Sequence, residues 1–96
     1  MAHPTCRHII DAVEQLYGTK IVEQSRCPYR NRARFVAYYL CRQLTLMSYP
    51  GIAKVFSRDH TSVLHGVKRA EEMLEREPIH TLAVSELRAM LGETRC

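Results

Sequence analysis

Residues 57–66 read SRDHTSVLHG. Arg58, Asp59, His60, Thr61 and Ser62 form an unbroken polar run that meets Val63 and Leu64, and a second imidazole follows at His65. A guanidinium, a carboxylate, two imidazoles and two hydroxyls this close together suit a catalytic relay, a metal site or a helix that reads DNA. Placed on a helix beginning near Asp59, the side chains sort by angle. Arg58, Thr61, Ser62, His65 and Arg69 fall at offsets of 0, 3, 4, 7 and 11, which is one polar stripe. Val63, Val67, Ala70 and Leu74, helped by Leu64, form an apolar stripe turned away from it. The same wheel argues against chemistry. His60 and His65 lie roughly 140° apart and do not converge on one metal as an i, i+4 pair would. Asp59, His60 and Ser62 are too close on one helix for a nucleophile–base–carboxylate relay, whose members come from separate elements. No GxxxxGK[ST] loop occurs in the sequence, so no nucleotide is expected, and neither is any cofactor.

Upstream, LMSYPGIAKVF (46–56) offers Ser48 as a helix cap, Pro50 in the first turn and Ile52, Val55 and Phe56 as apolar anchors. This helix spans about two turns before Ser57 and Arg58 break it. A short helix, a tight turn and a longer helix outline a helix-turn-helix. Further upstream, residues 31–45 carry Ala33, Val36, Ala37, Leu40, Cys41 and Leu44 as a buried stripe, with Arg34, Tyr38 and Arg42 recurring on another, exposed face. QSRCPYRNR (24–32) reads as a basic, proline-containing loop, preceded by a short helical turn around Ile21 to Gln24. A first helix shows Cys6, Ile9, Ile10, Val13, Leu16 and Tyr17 on one face and stops at Gly18. Downstream, the long helix stops before Pro78, and a last one carries Leu82, Leu87, Met90 and Leu91 and ends at Gly92. The fold expected is all-α, a compact helical domain built around a central helix-turn-helix.

Ninety-six residues, 46% hydrophobic and 25% charged, suit one globular domain over residues 1–96. No apolar run approaches the roughly 18 residues of a membrane span. The opening MAHPTCRHII reaches Asp11 too soon for a signal-peptide core, so the expected address is cytoplasmic, at the nucleoid. Cys6, Cys27, Cys41 and Cys96 form no CxxC pair and read as reduced thiols, with Cys41 in the core and no metal expected. The charge is segregated. Residues 26–69 hold nine basic side chains and one acid, a net +8, and the remainder holds five against nine, a net −4. Such an asymmetry points to a polyanionic partner.

A helix with one anchored face and one polar face fits the major groove of duplex DNA, and its first turn is where base edges are met. Thr61 and Ser62 can donate or accept, and His60 can donate to a purine. Asp59 either caps its own helix, the favoured role, or accepts from a cytosine amine. Arg34, Arg42, Lys54 and Arg69 are the expected phosphate contacts, which set register without reading sequence.

RDHTSVLHGVKR (58–69) resembles the signature helix of the C-terminal DNA-binding domain of bacterial replication initiators, the DnaA family. RARFVAYYLCRQLTLMSYPGIAKVF (32–56) is similar to that family's long helix and first helix-turn-helix element, and weaker likeness reaches HIIDAVEQLYG (8–18) and the last helix. The resemblance implies an all-helical, Trp-repressor-like domain that binds a short, asymmetric, AT-rich box in double-stranded DNA as a monomer. It assigns base reading to Asp59, His60, Thr61 and Ser62, with Arg58 and His65 nearby. Arg34, Arg42 and the backbone near Pro50 would contact phosphate. It also sends an arginine from the basic loop into the minor groove, for which Arg26, Arg30 and Arg32 are candidates and Arg30 is preferred. Three residues depart from the pattern: Ser57 stands where glycine is common, with one residue fewer in the turn, Ser62 where threonine is usual, and Phe35 where a polar residue is more common. The initiators' ATPase module is not in this sequence. If complete, the chain is a stand-alone DNA reader acting on replication initiation or transcription.

Two other readings use the same charge. A helical module that binds an acidic protein would want a desolvated apolar anchor in the polar stripe, which has none. Single-strand binding through Tyr29, Tyr38, Tyr39 and Tyr49 needs exposed rings in a groove, whereas tyrosines on helices are more often partly buried.

Overall fold

The computed structural model describes residues 5–22 and 26–92, which fold as α1 (Cys6–Tyr17), α2 (Pro28–Leu44), α3 (Tyr49–Phe56), α4 (His60–Arg76) and α5 (Pro78–Met90). There is no strand among these residues, and all five helices contribute to one core. None of the helices is long and apolar enough to cross a membrane.

α1 starts where the Thr5 hydroxyl accepts the His8 N–H at 3.2 Å. It ends at Gly18, which takes the left-handed conformation (φ 69°) that a residue without Cβ adopts freely. Ile9, Ile10 and Val13 are buried, but Leu16, counted on the same stripe, faces outward, and Tyr17 is only half-buried. The helical turn expected at Ile21–Gln24 is absent at Ile21 and Val22, and the rest of that span lies outside the described residues. Ile21 is instead a buried plug. Its N–H donates to Glu14 Oε2 at 2.9 Å, and its carbonyl accepts from Arg34 Nη1 at 3.4 Å.

α2 begins at Pro28, three residues before the expected start. Proline opens it because the first-turn N–H has no helical partner to lose. Arg30 and Arg32 are therefore helical residues, not loop residues. α2 packs most extensively on α4, and the approach is close enough to require Gly66. A Cβ there would overlap the Tyr38 ring and come within 3.1 Å of Phe35 Cδ1. Tyr38 is itself wedged edge-on against Phe56 of α3, with ring centroids 4.7 Å apart, so it ties α2 to both halves of the helix-turn-helix.

Ser48 caps α3 by accepting the Gly51 N–H at 3.2 Å, as its sequence position predicts. The α3–α4 turn closes on Ser57 in the left-handed region (φ 55°), with the Arg58 N–H donating to the Ala53 carbonyl at 2.9 Å. That is the position where the resembled family commonly has glycine, and serine here costs on the order of 1 kcal/mol relative to glycine. α4 buries Val63, Gly66, Val67, Ala70 and Met73. In α5, Leu87 is buried as expected, but Leu82 is 70% exposed and Met90 faces outward, while His80 and Val84 point inward. The apolar residues alone gave the wrong rotation, because one of the inward positions is a histidine.

Candidate nucleic-acid interface

Thr61, Ser62, His65 and Arg69 stand exposed on α4, opposite its buried stripe, and His60, on the side of Val63 and Val67, is exposed at the first position of the helix. The longest stretch of polar residues thus lies on the first two and a half turns of the second helix-turn-helix element. Lys54 and Pro50 of α3 are exposed beside it. Arg42, in the last turn of α2, donates through Nη1 to the Met47 carbonyl at 3.0 Å and lies 4.5 Å over the Tyr49 ring. This cation is pre-positioned: the ring and the carbonyl remove side-chain freedom before any ligand arrives. Ser48 and Pro50 flank the same point, at the N-terminus of α3.

Three expectations change. Arg34 does not stand on an exposed face. It is 6% exposed, with Nη2 donating to Asn31 Oδ1 at 2.6 Å and Nη1 reaching the Ile21 carbonyl. Tyr38, from the same expected face, is buried too, because α2 is covered on two sides, by α1 and by α4. Burial, opposed in part by the neighbouring phenol, lowers the Arg34 pKa, and burial raises that of Tyr38. Asp59 occupies the N-cap position of α4, yet its side chain makes no cap hydrogen bond; only its carbonyl accepts, from the Ser62 and Val63 N–H groups. Its carboxylate is exposed at the helix start. Arg58 is half-buried beside Tyr38 and Arg34, and its Nη2 is enclosed with no hydrogen-bond partner.

The candidate minor-groove arginines separate by place. Arg30, in the first turn of α2, lines a hollow against the end of α1 with Glu14 and Lys20. Arg32 reaches Glu77 at 4.0 Å across the α4–α5 joint. Arg26 alone of the three precedes the helix, exposed, next to the N-cap Cys27. The preference for Arg30 as a loop residue is therefore corrected by the earlier start of α2.

A hollow of about 580 Å³ runs between α2 and α4, with Phe35 as its apolar lining and Asn31, Arg32, His65, Lys68 and Arg69 around it. A second, of about 540 Å³, lies at the α3–α4 turn and exposes Lys54, Asp59 and Ser62. Lys68 and Phe35 therefore border the polar stripe although the motif gave them no role. Spacing could have found Lys68, three residues beyond His65. Among the described residues, Arg42, Lys54, Arg58, Lys68 and Arg69 form no ion pair with any acid. No group of three or more metal-ligating side chains comes together there either.

The family model for the bacterial dnaA protein helix-turn-helix matches residues 6–70. The chromosomal replication initiator protein DnaA of Mycobacteroides abscessus is 40% identical over 89 residues, covering 88% of this chain and 18% of that protein. The protein of the same name from Ruegeria pomeroyi is 60% identical over 43 residues, 44% of this chain and 9% of its own length. That from Campylobacter curvus is 38% identical over 85 residues, 84% of this chain and 20% of its length. The chain spans a fifth or less of the length of these curated relatives.

Proposed function

The chain belongs to the bacterial DnaA helix-turn-helix family, a DNA-binding module and not an enzyme, and on that footing we propose that it reads short, AT-rich, initiator-type boxes in duplex DNA, one chain to a box. The observation that carries this reading is the set of four exposed cations without acidic partners (Arg42, Lys54, Lys68, Arg69) around a helix whose outer face is hydroxyl and imidazole. Phosphodiesters supply the missing counter-charge, and the polar stripe supplies the discrimination.

In this reading the first turns of α4 enter the major groove. His60, Thr61 and Ser62 meet base edges, with His65 behind them. The Asp59 carboxylate, free of its capping duty, accepts from a cytosine amine. Ser62 lacks the methyl that threonine would place on a thymine, so the box differs most at that contact. Arg42, Lys54 and Arg69 hold phosphates, together with the backbone at Pro50. The hollow between α2 and α4 carries the strand on toward Arg26, which enters the adjacent minor groove, where narrow AT-rich DNA attracts cations. Phe35 gives that strand an apolar bed in place of a polar contact. Arg34 and Arg58 act from behind: they fix the α2 start and the α3–α4 turn without touching bases. Bound at such boxes in the cytoplasm, the protein regulates replication initiation or transcription, or competes for the boxes with an initiator.

Substitutions separate the roles. Thr61→Ala or His60→Ala is expected to lower discrimination between a box and a scrambled duplex by about 1–3 kcal/mol. Arg42→Ala is expected to weaken both duplexes alike and to reduce the slope of log K against log salt by about one. Titrations of labelled duplexes measure both. Equal losses on both duplexes for every variant would contradict the division into readers and phosphate contacts.

A further inference from the structure

Away from α4 the surface changes character beside α5, where Leu16, Tyr29, Ile79 and Leu82 are exposed around a cleft of about 560 Å³. The polar groups of that cleft are paired: Tyr17 Oη and His80 Nδ1 lie 2.9 Å apart, and His80 Nε2 meets Glu77 at 3.3 Å. Reactive groups that DNA binding leaves unused lie at another corner, where α1 begins and α2 gives way to α3. There sulfur meets sulfur. Cys6, the first residue of α1, donates through Sγ to Met47 Sδ at 3.2 Å. The thiol of Cys41, in the last turn of α2, hydrogen-bonds that of Cys6. Cys6 and Cys41 are buried and Met47 is half-buried. Thr45 closes the corner: its hydroxyl donates to the Cys41 carbonyl at 2.6 Å and accepts the Met47 N–H at 3.2 Å.

We propose that Cys6 and Cys41 are a redox pair, which a hydroperoxide joins into a disulfide that ties α1 to α2 and unseats Arg42. The two thiols are not equivalent. Cys41 donates to the Cys6 sulfur and, with the Thr45 hydroxyl, holds the Cys6 pKa down against burial. The same hydrogen bond, together with burial, pushes the Cys41 pKa up. Cys6 is therefore the attacking thiolate and Cys41 the resolving thiol. Cys6 also has a way to solvent: it lies between exposed Thr5 and Arg7 in the first turn of α1, where helices fray. Its sulfur attacks the hydroperoxide; an S–O bond forms, the O–O bond breaks, and the leaving alkoxide takes up the proton that Cys6 gave up. The Cys41 sulfur then attacks the sulfenic sulfur; an S–S bond forms, the S–O bond breaks, and the oxygen leaves with the Cys41 proton as water. The thiols lose two electrons and the peroxide gains them. The new bond draws Cys6 off Met47 Sδ. Because the Met47 carbonyl holds Arg42 Nη1, the disulfide disturbs the seat of a phosphate contact, a consequence that rests on the DNA reading above.

A chain carrying Cys27→Ser and Cys96→Ser keeps Cys6 and Cys41 as its only thiols. Treated with hydrogen peroxide and mapped by mass spectrometry without reduction, it is expected to lose about 2 Da and to yield the Cys6 and Cys41 peptides as one linked fragment, which dithiothreitol separates. With Cys41→Ala added, Cys6 has no resolving partner and is expected to accumulate sulfenic acid, captured by dimedone. DNA titration gives a second readout. The oxidised chain is expected to bind box and scrambled duplex several-fold more weakly alike and to recover on reduction, while the mass shift stands whether or not the reduced chain prefers a box. Unlinked thiols after peroxide treatment, or oxygen found only on Met47, would overturn the proposal. A linked pair with unchanged affinity for both duplexes would overturn it as well, since Arg42 would have kept its seat.

Discussion

The outer face of α4 and the cleft beside α5 leave opposite things unsatisfied. Among the described residues around α4, Arg42, Lys54, Lys68 and Arg69 form no ion pair beside its hydroxyls and imidazoles, and no large apolar side chain of α4 is exposed among them. At the cleft, the polar groups satisfy one another and the apolar side chains are left over. The first arrangement calls for a polyanion with patterned edges, and the second does not. Exposure alone would not distinguish them, since both faces are exposed. What distinguishes them is the kind of group left without a partner, and what stands behind each face. Behind α4 the packing is tight and specific: Gly66 admits the Tyr38 ring, Tyr38 abuts Phe56, and Arg34 pins the start of α2. The cleft instead rests on the ends of three helices.

Breaking the support behind the reading face tests that contrast most severely. Arg34→Ala removes a buried guanidinium from Asn31 Oδ1 and the Ile21 carbonyl, and about 2–3 kcal/mol of stability is expected to go with it in a chemical denaturation curve. A surface phosphate contact would instead leave the curve unchanged and weaken DNA binding alone. Gly66→Ala drives a methyl into Tyr38, which has no room to retreat, and is expected to cost about 1–3 kcal/mol while blurring box discrimination. A neutral outcome would mean that α2 and α4 can part without consequence and that the reading helix is not held as described. The smallest change runs the other way. Ser57→Gly relieves the left-handed turn and is expected to raise stability by about 1 kcal/mol, seen as a higher melting temperature.

Much of the polar face of α4 was legible because its signals are local. Ser48, Pro50 and Pro78 mark helix ends by their own chemistry, and the 3–4 spacing from Thr61 to Arg69 assigns one side of α4 whatever it packs against. What stayed hidden depends on neighbours distant in sequence. Arg34 and Tyr38 fall outside the apolar stripe of α2, so a wheel places them in water, yet α4 covers that side because Gly66 lets it approach. Pro28 was a start signal obscured by the basic residues around it. In α5 the inward face is set partly by His80, which reads as polar in sequence but finds Tyr17 and Glu77 in the fold. Asp59 sits at the cap position that the sequence predicts but leaves its side chain unused there, which no local pattern reveals.

The central claim is that α4 reads base sequence and does not merely attract phosphate. Fluorescence anisotropy with an initiator-type box and a scrambled duplex of the same composition, each at low and at high salt, tests it most directly. The account predicts tighter binding to the box, with the preference persisting at the higher salt as both affinities fall together. Equal binding to the two duplexes, collapsing alike as salt rises, would contradict it and reduce the face to a patch of positive charge.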